Sequence, residues 1–100
     1  MLPRNRRPTP PGEILRQEFL EPLGLSQKEL AAALGITRVR LSEILRGKRG
    51  ITPDTAFRLA RFFDTTPEFW LGLQTDLDLW DTLQLHGEEY QKIKPVKAAA

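Results

Sequence analysis

The 100-residue chain contains no cysteine. Disulfides and thiolate metal sites are therefore excluded, and a reducing compartment is permitted. Histidine is nearly absent too. The single one, His86, stands near the C-terminal end with no serine or cysteine nucleophile beside it in the sequence. An isolated imidazole of this kind is more often a surface residue than a general base. Asp76, Asp78 and Asp81 lack the further ligands a metal needs, and the turn glycines form no phosphate-cradling motif. These absences argue against an enzyme, and neither metal nor cofactor is expected. No apolar run reaches the roughly 18 residues needed to cross a bilayer. The opening "MLPRNRRPTPPG" is charged but is followed by no apolar stretch of the kind a secretory signal requires. A cytoplasmic protein with no membrane partner is expected.

What is present describes one small domain. Hydrophobic residues make up 40% of the chain and charged residues 28%, which fits a single modest core. The net charge of +2 hides an uneven distribution. Residues 37–50 carry Arg38, Arg40, Arg46, Lys48 and Arg49 against Glu43 alone. Residues 68–89 carry Glu68, Asp76, Asp78, Asp81, Glu88 and Glu89 with no lysine or arginine. A cationic segment set apart from an anionic one points to nucleic acid at the basic end. Two solvated faces of opposite sign would give the same composition.

Proline and glycine divide the chain into five helices with no strand. Residues 1–10 are rich in proline and arginine and read as a flexible basic arm. Helix 1 is expected from Pro11 to Leu20, with Ile14, Leu15 and Phe19 on one face, and Pro22 and Gly24 should end it. In "SQKE", Ser26 and Glu29 form a capping box for helix 2. Its buried stripe is Leu30, Ala31 and Leu34, and Gly35 stops it. Thr37 caps helix 3, which turns Leu41, Ile44 and Leu45 inward and ends at Gly47. Helix 4 starts at "TPDT" and buries Ala56, Leu59, Ala60 and Phe63. "TPEFW" repeats that start for helix 5, expected to run to about Leu83. The domain then covers 11–86, and 87–100 reads as a flexible tail.

The spacing of helices 2 and 3 is the most informative feature. Only "GIT" separates them, which forces a tight angled pair, the helix-turn-helix arrangement. In such a module the second helix lies in the major groove and the first crosses the backbone. With Leu41, Ile44 and Leu45 inward, Thr37, Arg38, Val39 and Glu43 are candidates for base contacts, with Ser42 also outward. Arginine can pair with guanine, valine can pack on a thymine methyl, and glutamate can accept from cytosine. Ser26 and Gln27 at the start of helix 2 suit a phosphate. Arg40, Arg46, Lys48 and Arg49 complete the candidate phosphate contacts.

The segments "PGEIL", "LGLSQKELA", "ILRGKRGIT", "DTAFRLARFF" and "PEFWLGLQ" resemble the HigA family of antitoxins, within the lambda-repressor-like (XRE-type) helix-turn-helix proteins. The resemblance covers residues 11 to about 81. It implies an all-α, five-helix lambda-repressor-like helix-turn-helix domain acting as a dimer on double-stranded DNA. It further implies an antitoxin that neutralises a HigB-type mRNA endonuclease and represses its own operon. Under that resemblance the DNA contacts of helix 3 fall on Thr37, Arg38, Val39, Arg40 and Glu43, and phosphate contacts on Ser26, Gln27 and the Arg46–Lys48 region.

Helix 5 carries Phe69, Trp70, Leu73, Leu77 and Trp80, more apolar surface than a terminal helix needs to close a four-helix core. A shared role in dimerisation is expected, because two recognition helices about 34 Å apart can read successive major grooves. Its acidic residues, or the N-terminal arm, are candidates for meeting a basic toxin. The arm could also lie along DNA. Two other readings share these features: a regulator without a toxin, and a protein-interaction module whose basic patch is incidental.

Overall fold

The computed structural model describes residues 6–97, which form five helices and no strand. The first, α1, spans 11–23, with α-helical turns at Pro11–Leu15 and Glu21–Leu23 around a π-helical stretch at Arg16–Leu20. The others are α2 (Gln27–Leu34), α3 (Arg38–Leu45), α4 (Pro53–Phe63) and α5 (Pro67–Gln91).

The caps form as the side chains dictate. Ser26 Oγ accepts from the Glu29 amide at 3.0 Å while Glu29 Oε1 accepts from the Ser26 amide at 2.9 Å, closing the capping box. Those bonds from Ser26 hold the Glu29 carboxyl below its ordinary pKa. Thr37, Thr52 and Thr66 each accept an amide of the first turn that follows.

Two boundaries differ from expectation. Helix 1 does not stop before Pro22. The Glu21 amide donates to the Arg16 carbonyl, five residues back, and this wider turn gives the proline ring the room an α-helical carbonyl would deny it. Helix 5 does not end near Leu83 but continues through Gly87 to Gln91. A lone glycine costs about 1 kcal/mol against alanine, too little to break a long helix. Residues 92–97 are irregular, and the remainder of the expected tail, 98–100, lies outside the described residues, as do residues 1–5 of the arm.

One core joins all five helices: Leu15, Leu20, Leu30, Ala31, Leu34, Leu41, Ile44, Ile51, Ala56, Leu59, Ala60 and Trp70. Trp70 is its centre, fully buried, with ring centroids 5.1 Å from Phe19 and 5.0 Å from Phe69. Its Nε1–H donates to Thr65 Oγ1 at 2.8 Å, so the burial leaves no polar atom unpaired. The α1–α3 crossing depends on Gly12, where a Cβ would lie 2.1 Å from the Ile44 carbonyl oxygen. α3 is thus gripped from behind by α1 and from the side by α2, with its other side exposed.

Candidate nucleic-acid interface

The turn between α2 and α3 is as short as "GIT" demands. Gly35 adopts φ +73°, a conformation that suits glycine, and ends α2. Ile36 tucks partly inward, and Thr37 starts α3. Leu41 and Ile44 are buried and Leu45 is half-buried, which orients the rest of α3 outward.

Arg38 and Val39 project from the start of α3, Val39 with 68% of its surface exposed. An isolated exposed valine is unremarkable, but this one lies on a shallow concavity lined by Gln27, Arg38, Val39, Ser42 and Arg46. The start of α2 and the outer side of α3 therefore meet on one surface. Ser26 and Thr37 flank it, both exposed. Each hydroxyl accepts an amide as a cap and retains its own O–H to donate to an incoming oxygen. The exposed Lys48 and Arg49 follow on the loop after α3, whose amides bond back to the Glu43 carbonyl at 2.8 and 3.2 Å.

The remaining expected contacts are engaged within the chain. Glu43 accepts from Arg49 Nη2 at 2.8 Å and Nε at 3.0 Å. Arg40 turns from the outer surface toward α4, donating from Nη2 to Asp54 Oδ2 at 2.9 Å and Thr55 Oγ1 at 2.7 Å. Asp54 also accepts from Arg58 Nε at 2.9 Å. Arg40 first, then Arg58, holds the Asp54 carboxyl below the usual carboxylate range. Asp54, Thr55 and Arg58 thus join the site as its support. Only the i, i+4 spacing of Asp54 and Arg58 hinted at this in the sequence.

On α5 the five residues expected at a dimer contact divide. Trp70 and Leu77 face the protomer's own core; Trp70 fills the space between α1 and α4, which leaves it nothing to offer a second chain. Phe69, Leu73 and Trp80 remain partly exposed. Arg7, from the described part of the arm, rests on α5 through two bonds to the Asp81 carboxylate at 2.8 and 3.0 Å.

This fold and surface define a helix-turn-helix protein. The sequence profile of the family described as Helix-turn-helix matches residues 17–70. The chain is 44% identical over 91 residues to antitoxin HigA-1 of Vibrio cholerae, spanning 91% of this chain and 86% of that protein. An uncharacterized HTH-type transcriptional regulator of Haemophilus influenzae is 49% identical over 94 residues, 94% of this chain and 87% of its own length. Pseudomonas aeruginosa antitoxin HigA, solved with the higBA promoter, superposes with a TM-score of 0.86 at 40% identity, covering 91% of this chain and all (100%) of that one. The chain belongs to the HigA family of helix-turn-helix antitoxins.

Proposed function

We propose that this HigA-family protein binds an operator of its own operon as a homodimer, laying α3 in the major groove, and that it neutralises a HigB-type toxin in the cytoplasm. The observation that carries the DNA reading is the single concavity formed by Gln27 of α2 with Arg38, Val39, Ser42 and Arg46 of α3. Arg38 and Val39 read base edges there, aided by Thr37. Ser26, Gln27, Arg46 and Lys48 hold phosphates. Glu43 and Arg49 meet the duplex as a pair, the arginine toward a phosphate and the carboxylate toward a cytosine amine. Arg40 serves from behind. The HigA relative solved with the higBA promoter supports DNA as the partner of this surface.

The dimer reading rests on α5. Its inward stripe is Trp70, Gln74, Leu77 and Asp81, all with partners in the same chain. A second stripe, Phe69, Leu73, Trp80, Leu83, Gly87 and Tyr90, follows steps of three, four and seven; Leu73, Trp80 and Gly87 are half-buried, whereas Phe69 is 42% exposed, Leu83 43% and Tyr90 44%. Such heptad spacing suits a second copy of the same helix. With Trp70 and Leu77 inside, Leu83 and Tyr90 take their place in the contact.

Fluorescence anisotropy on the promoter duplex of the chain's own operon tests this function. Binding should far exceed that to a shuffled duplex and weaken by about 0.9 log units per phosphate contact for each tenfold rise in salt. Equal affinity for both duplexes, or a flat salt response, would refute it. A second reading, a transcriptional regulator without a toxin, shares every DNA-binding feature, and the Haemophilus influenzae relative is named only as an uncharacterized HTH-type transcriptional regulator. Co-expression with the product of the adjacent gene separates the two: rescue of growth and co-purification belong to the antitoxin alone.

A further inference from the structure

Arg40 occupies the third position of α3, within one turn of the exposed Arg38, yet its guanidinium is bound away from the groove-facing surface. Its side chain is only 27% exposed. The bonds that hold it continue beyond it. Asp54 Oδ2 accepts from Arg40 Nη2 and from Arg58 Nε, both at 2.9 Å. Arg58 Nη1 then donates at 2.8 Å to the carbonyl of Leu34, the last residue of α2. Gly35 admits that approach: a Cβ there would stand 3.1 Å from Arg58 Nη1. A chain of charge-assisted bonds thus links the end of α2, the first turn of α4 and the first turn of α3.

Exposed ion pairs contribute little to stability, so a large effect on folding is not what this relay supplies. Apolar packing fixes α3 against α1 and α2 but is non-directional. Bonds of fixed geometry between charged groups add the orientation that packing lacks. They also keep one cation from the phosphates, where it would attract every sequence alike.

We propose that Asp54 is a specificity-determining positioning residue, which acts through Arg40 and Arg58 to set the orientation of α3 and to withhold Arg40 from the DNA backbone. The proposal rests on α3 being the reading helix. Removal of the carboxylate frees Arg40 as a phosphate contact. Binding then becomes less selective rather than merely weaker.

The test uses the full chain, a duplex selected by the wild type from a random pool, and a shuffled duplex of the same composition. Asp54→Asn should lower the ratio of selected to shuffled affinity about tenfold, the discrimination one good base contact supplies. Its salt slope should steepen by about 0.9 log units per tenfold salt, one added phosphate contact. Asp54→Glu should restore the ratio. Arg40→Met alone, which breaks the relay without freeing a cation, should lower the ratio at unchanged slope, and it decides the matter even if Asp54→Asn folds poorly. Adding Arg40→Met to Asp54→Asn should return the slope to that of the wild type. An Asp54→Asn protein with wild-type ratio and slope would overturn the proposal, as would an equal loss on both duplexes. So would an Arg40→Met slope shallower by one phosphate, because Arg40 would then already be a backbone contact. A wild type that selects no sequence would remove the reading of α3 itself, and the proposal with it.

Discussion

Arg38 and Lys48 carry the same charge, and their surroundings assign them different work. Arg38 stands on a helix whose opposite face is locked into the core, so its guanidinium has a defined origin from which to meet a base pair. Lys48 sits on a loop held by backbone bonds to Glu43, a placement that suits a point charge near a phosphate. Arg38→Ala should weaken binding to the operator by about tenfold or more while barely changing that to shuffled DNA. Lys48→Ala should weaken both equally and reduce the salt slope by about 0.9. Anisotropy titrations on both duplexes check the pair. Asp54 gives a further test. Its depressed folded-state pKa means that its pairing stabilises the fold above the unfolded carboxyl pKa of about 3.9 and is lost as pH falls through the lower folded value. The difference in melting temperature between wild type and Asp54→Asn should therefore shrink on acidification from neutral pH. A gap that stays constant would show that the carboxylate charge is not what the pairing uses.

The helices show why some features were legible in the sequence and others were not. Ser26, Thr37, Thr52 and Thr66 predict their caps because a cap is settled within four residues. The buried stripes of α2 and α4 follow from periodicity, and the "GIT" turn from its length. Pro22 misled because the π-helical turn that accommodates it is set by how α1 packs and not by the residues beside it. Gly87 misled because a long helix tolerates what a short one would not. Arg40 was legible as a cation but not as a tied one; its partners, Asp54 and Thr55, lie on another helix. Trp70 and Phe69 are neighbours in sequence, and only tertiary packing decides which of them is buried. Gly12 belongs to the same class: it reads as a first-turn residue, and its need for a bare Cα arises from α3 crossing it. Gly12→Ala should destabilise the protein by about 2–3 kcal/mol, because the obstacle is backbone that cannot rotate aside. Thermal unfolding would register this as a fall of roughly 10 °C or more. An unchanged melting temperature would mean that the α1–α3 crossing is looser than described.

Across the whole molecule, the two parts of the chain differ in what they present. The compact part from α1 to α4 presents one reading surface, while α5 extends past it with a partly exposed heptad stripe and acidic residues. A single α3 covers only part of one groove, so pairing through α5 is what would give the protein reach along a duplex. Leu83→Asp should yield a monomer in sedimentation at micromolar concentration and lower operator affinity by about tenfold or more through loss of the second half-site. A dimer that survives the substitution would move the contact elsewhere. The most direct measurement of all concerns the groove. Guanines of the selected duplex are replaced one at a time by 7-deazaguanine, which removes N7, one of the two acceptors a bidentate arginine would use, and affinity is measured for the wild type and for Arg38→Ala. One guanine in each half-site should matter to the wild type and be indifferent to the variant. If every replacement affects both proteins alike, α3 does not read the sequence.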